Sequence, residues 1–135
     1  MGNQFMNDWI RQAAGLAVKP RVFVSYHHDN DQRWYDYLSR IFGRTYDIFT
    51  DSSVDRPIGS DDCDYQMRRI RGDYITGSSV TLVLCGTETW KRKFIDWEIK
   101  ATIDKGHGLL GIIVPGNAQR IVPNRLHDNI QSAYA

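Results

Sequence analysis

Two short stretches of the sequence concentrate side chains that could do chemistry. The first is Phe94-Ile95-Asp96-Trp97-Glu98-Ile99. On a helix, Phe94 and Glu98 are four residues apart and share a face. An aromatic wall beside a carboxylate, near the start of a helix, would make a partly apolar pocket at a ligand-binding end. The same spacing also describes a glutamate on a solvated helix face, paired with Lys91 or Lys100. From spacing alone the solvated reading is the stronger. The second stretch is His27-His28-Asp29-Asn30-Asp31. Adjacent histidines in a loop point apart and no third ligand follows at a useful spacing, so no metal site is expected. Asp29 and Asp31 are read as capping and solvated, with one histidine facing a cleft.

The elements that must position these residues alternate between two periodicities. Arg21 to Tyr26 is a short β-branched and aromatic run, the first expected strand. Asn30 or Asp31 can cap the following helix, whose apolar face is Trp34, Tyr37, Leu38, Ile41 and Phe42, with Gly43 as its stop. Residues 46–50 form a second strand. A polar loop runs from Asp51 to Gly59. Ser60 can then cap a helix that carries Asp61 and Asp62 in its first turn and ends at Gly72 or Gly77. Residues 79–85 are the clearest strand. A helix over 89–104 follows, with Phe94, Ile95, Ile99, Thr102 and Ile103 inward. A fourth strand spans 109–114, and a last helix 124–132. Ahead of Pro20, residues 4–14 read as a short amphipathic helix in an extension over 1–19.

Strands alternating with helices imply right-handed crossovers and a parallel sheet with helices on both faces. The expected architecture is an α/β, flavodoxin-like three-layer sandwich with strand order 2-1-3-4. In such sheets ligands sit beyond the carboxyl ends of the strands, where the order reverses. Ser25 to Asn30, Gly86 to Thr89 and Asp51 to Pro57 should therefore share one end of the domain.

Composition excludes several classes. The 135 residues suit one domain and carry 17 basic and 16 acidic side chains for a net charge of +1. No global field would draw the chain to nucleic acid or an anionic membrane, although a local basic patch is possible around Arg68, Arg69 and Arg71. Cys63 and Cys85 form no disulfide framework, and Cys85 ends an apolar run as a small buried hydrophobe. That usage, with no signal peptide and no long apolar span, leads us to expect a cytoplasmic protein. No glycine-rich dinucleotide loop, phosphate-binding loop or nucleophile elbow is present.

A resemblance adds to this reading. Arg21-Val22-Phe23-Val24-Ser25-Tyr26-His27 resembles the first strand of the TIR-like family to which the Thoeris defence protein belongs. Ser78 to Gly86, Thr89, and Arg92 to Ile99 are similar to that family's second signature, which Lys105-Gly106 and Leu110-Gly111-Ile112 continue. The likeness spans about residues 20–133. It implies a TIR-like domain over 20–135 that consumes NAD as substrate, needs no cofactor, and has Glu98 as catalytic carboxylate with Phe94 in the aromatic position. It further implies that Ser25, Tyr26 and His27 line the nucleotide pocket and that Asp51 and Ser52 belong to the loop after the second strand, with Trp97 packing beside the site. Relatives of this kind make a cyclic ADP-ribose-type signal that reaches a separate effector, and copies of the domain often complete each other's site. The alternatives are a non-enzymatic self-association module and a nucleotide-binding flavodoxin-like domain.

Overall fold

Alternation along the strands decides which side chains face which layer. In a computed structural model, which describes residues 19–51 and 69–133, Arg21–Ser25 forms β1, His28–Phe42 α1 and Asp47–Phe49 β2. Val80–Cys85 forms β3, Lys93–Lys105 α2, Gly108–Ile113 β4 and Asn124–Ala133 α3. The four strands are parallel in the order β2-β1-β3-β4, as the sequence predicts. The N-terminal helix expected over 4–14, Ser52, Cys63, and the loop and helix start expected over 52–68 lie outside the described residues.

On one face of the sheet Val24, Leu82 and Leu84 are buried under α1 by Trp34, Tyr35 and Leu38. On the other face Phe23 packs with Ile70, Ile75 and Ala101. Val83 and Cys85 pack there with Ile95, Ile99 and Leu126, drawn from α2 and α3. Ser25 is two residues beyond Phe23 and so points to the α2 side. Residues Arg71–Ile75 form a π-helical turn that leads into β3.

Several local expectations are corrected. The N-cap of α1 is His27, not Asn30 or Asp31. Asp31 is buried rather than solvated. Tyr37, Ile41 and Phe42 are about half exposed, because Tyr35 takes the inward position that Tyr37 was expected to hold. Gly72 does not end the third helical segment but lies inside the π-helical turn. The helix expected over 89–104 is broken: Thr89–Lys91 is a 3-10 turn, Arg92 is extended, and only Lys93–Lys105 is α-helical. The break is tied down by Thr89, whose hydroxyl accepts from Gly86 N at 2.8 Å and donates to Leu84 O at 3.2 Å. Ile103 is exposed instead of inward. Gly106 ends α2 in the left-handed conformation at φ 70°, a backbone shape that glycine adopts without a Cβ clash.

Helix α2 is clamped to β3 by a buried hydroxyl pair, Thr81 Oγ1 to Thr102 Oγ1 at 2.7 Å, and Thr102 also donates to Glu98 O at 2.8 Å. Thr102→Val should cost about 1–3 kcal/mol, because Thr81 is left buried without its partner. Adding Thr81→Val should recover part of that loss. Urea unfolding of the parent, both single variants and the double variant checks this, and a double variant less stable than Thr102→Val would contradict it.

Candidate functional site

Glu98 lies on the buried stripe of α2, between Ile95, Ile99 and Thr102. Positions 95, 98, 99 and 102 share one face of a helix, so packing of the isoleucines carries the carboxyl inward with them. The side chain is 3% exposed. Lys91 pairs with Glu88 at 3.1 Å, and Lys100 with Asp104 at 2.7 Å. The solvated reading of Glu98 is therefore wrong.

The carboxyl meets groups from three other segments. Ser25, at the end of β1, is 1% exposed, and Asp51, just beyond β2, is fully buried. Arg69, ahead of the π-helical turn, pairs with Asp51 at 3.6 Å. Burial lifts the Glu98 carboxyl well above its ordinary range, and the Asp51 charge lifts it further. The Ser25 hydroxyl and the Arg69 guanidinium pull in the opposite direction but do not prevail. Neither Ser25 Oγ nor Glu98 Oε2 completes a hydrogen bond of good geometry among the described residues. Among the described residues the site thus sets a buried carboxyl of raised proton affinity beside a hydroxyl and a guanidinium.

A cleft of about 370 Å³, lined by Tyr26, His27 and His28 from one segment and Lys91 to Ile95 from another, adjoins these residues in sequence, although Ser25, Asp51 and Glu98 do not themselves line it. Phe94 lines it one helical turn before Glu98 and leans edge-on against Trp97, with ring centroids 5.2 Å apart. Tyr26 stacks on His28 at 4.2 Å and on Tyr35 at 4.9 Å, and its hydroxyl donates to Gln32 Oε1 at 2.7 Å. His27 is 7% exposed and both its ring nitrogens lack a hydrogen-bond partner among the described residues. The ends of β1 and β3 are tied together nearby, where Asn30 Nδ2 donates to Glu88 Oε2 at 3.2 Å. Gly86 has no side chain to obstruct the Asp31 carboxyl, which occupies the space a Cβ would need.

Of the residues singled out in the sequence, Ser25, Asp51 and Glu98 meet in the buried cluster, while Tyr26, His27 and Phe94 line the cleft. Ser52 is outside the described residues. Among the described residues no group of three or more His, Cys, Asp or Glu side chains could hold a metal ion. Sequence reasoning missed Arg69 as a partner of this cluster, because a surface arginine and a buried one look alike until the chain brings Asp51 to it. It also missed the burial of Glu98, although the Ile95, Ile99 and Thr102 stripe carried that signal.

The raised Glu98 value has a sign that can be checked. The folded state keeps the Glu98 proton at pH values where the unfolded chain has lost it. The protein therefore loses stability as pH rises above about 4.5, and the loss stops growing only above the folded value. Glu98→Gln mimics the protonated form. Its melting temperature should exceed that of the parent by a margin that widens from pH 4.5 upward, with each unit of mismatch worth about 1.4 kcal/mol. Thermal melts of both proteins across this range check it, and a constant or shrinking margin would contradict it.

The family model of the Thoeris protein ThsB, TIR-like domain, matches residues 23–119, from β1 through Glu98 to the loop after β4. No curated protein matches the chain. That span takes in Ser25, Asp51, Arg69, Glu98 and the whole cleft, and the chain belongs to the TIR-like domain family of the Thoeris protein ThsB.

Proposed function

We propose that this protein cleaves the nicotinamide–ribose bond of NAD, with Glu98 as the catalytic carboxylate, and passes on a cyclic ADP-ribose-type signal to a separate effector. Membership of the ThsB family carries a role in antiphage defence. The observation that supports the enzymatic reading is the buried Glu98 carboxyl on the helix whose start, with Phe94, lines a cleft.

The chemistry asks little of the protein beyond one such group. The electron pair of the C1–N bond leaves with nicotinamide and neutralises its ring charge. Positive charge then spreads over ribose C1 and the ring oxygen, as in glycoside cleavage. An ionised Glu98 held in a low-dielectric site stabilises that charge more than water could. When water attacks C1, the carboxylate accepts its proton. When a nucleophile of the same substrate attacks, the ring closes instead. The raised affinity of Glu98 for a proton suits the accepting step near neutral pH. In the resting structure the carboxyl is covered, so the side chains packed over it must move for a substrate to reach it.

A non-enzymatic self-association module is the second reading. It is favoured by one observation: Leu110 and Ile112 of β4 are 59% and 43% exposed on the sheet face that carries α1. No described helix covers them there.

Concentrated protein incubated with NAD should release nicotinamide, and Glu98→Gln should lower the rate by about 10²-fold or more. Retention of full activity in that variant would remove Glu98 from the mechanism. Absence of turnover at any concentration of parent protein would favour the self-association reading. The rate should rise with pH as Glu98 ionises. Asp51→Asn removes the charge that lifts Glu98, so the acidic limb of the pH–rate profile should move to lower pH. A limb that stays in place or moves up would contradict the coupling.

A further inference from the structure

Helix α2 begins without a cap. Its N-cap residue is Arg92, which makes no side-chain capping bond and has no acceptor atom with which to make one. The first backbone N–H groups of a helix find no partner inside it, and here the residues that carry them, Lys93, Phe94 and Ile95, line the cleft. An uncapped start of a 13-residue helix therefore directs the positive end of its dipole at an open cavity.

A second, independent feature points to the same space. His27 lines the cleft from the opposite wall, is 7% exposed, and leaves both ring nitrogens without partners among the described residues. A buried imidazole in that condition is incomplete until something supplies a hydrogen bond. The cleft rim also carries three consecutive cations, Lys91, Arg92 and Lys93. Lys91 is engaged by Glu88, whereas the Arg92 guanidinium has no ion-pair partner among the described residues. The acids nearby are each offset. Glu88 is held by Lys91 and Asn30. Asp96, in the first turn of α2, is gripped by Arg125 through two bonds of 2.8 and 3.1 Å. Asp31 feels the positive charge of Arg33.

Orphan N–H donors, a free guanidinium and an unpartnered imidazole converge on one cavity, and an anion satisfies all of them. We propose that the start of α2, with Arg92 and His27, is the subsite for the diphosphate of a dinucleotide. This rests on the nucleotide-cleaving reading of the same cleft and deepens it. It seats the substrate's diphosphate one helical turn from Glu98. The stacked Tyr26 and His28 rings sit on the facing wall.

Calorimetric titration of the whole chain with ADP, adenosine and inorganic pyrophosphate tests the subsite apart from turnover. ADP should bind about tenfold or more tightly than adenosine, and its affinity should fall with added salt. Arg92→Gln should weaken ADP by about tenfold and leave adenosine unchanged. Arg92→Asp supplies the missing cap along with a repelling charge, so it should melt no lower than the parent while losing ADP. Pyrophosphate binding that also depends on Arg92 supports the site and shows that the diphosphate alone is recognised. Equal affinity for ADP and adenosine, no binding of either, or ADP affinity indifferent to Arg92 would overturn the proposal. Lys105→Ala, at the far end of α2, is the control that should change nothing. The two readings fail separately. Arg92-dependent ADP binding without nicotinamide release would end the NAD reading and spare the subsite. NAD turnover whose KM ignores Arg92→Gln would end the subsite and spare the catalytic role of Glu98.

Discussion

Two buried carboxyl groups and one partly exposed guanidinium meet where β1 and β2 end. If Glu98 and Asp51 were both ionised, two like charges would lie together in a poorly polarisable interior. Burial and the Asp51 charge both raise the proton affinity of Glu98, while Asp51 pairs with Arg69. The rest of the site is organised around that constraint. Ile95 and Ile99 hold the carboxyl inside, and the Thr81–Thr102 pair fixes how far α2 stands from the sheet. Ser25 offers the hydroxyl that makes the ionised form reachable.

An internal acid of this kind works against stability near neutral pH. Such strain is common where a group is set up for chemistry rather than for packing. The same end of the domain shows two further incomplete features, the uncapped start of α2 and the unpartnered His27 ring. In the loop beyond β4, the buried Asn117 side chain is well answered. Asn117 donates to Cys85 O at 3.0 Å and Ile121 O at 2.9 Å, and accepts from Ile121 N at 3.2 Å. The contrast between a satisfied loop beyond β4 and an unsatisfied cleft beyond β1 marks where a ligand would bring the missing partners.

The sheet order and the strand positions were legible because buried parallel strands read as short apolar runs, and because Gly43, Gly106 and Pro115 punctuate them. The helix over 89–104 was misread because apolar spacing continues through Arg92. The break is made by the Thr89 hydroxyl bonding to Leu84 and Gly86, a contact that periodicity does not register. Tyr37 was taken as core since its spacing fits, yet Trp34, Tyr35 and Leu38 make the packing of α1 on the sheet. Glu98 was picked out by its relation to Phe94 and by family likeness. Its burial was readable from Ile95, Ile99 and Thr102 alone. The roles of Asp51 and Arg69 depend on bringing together segments far apart in the chain, and no local pattern announces them.

The most direct measurement is a carbon-13 NMR titration of the Glu98 side-chain carboxyl, identified by the resonance that Glu98→Gln removes. A midpoint well above the ordinary 4.5 would establish the retained proton on which the site depends. A midpoint at or below that value would show that water or another cation reaches the carboxyl, and the account of a buried Glu98 carboxyl of raised proton affinity would be wrong.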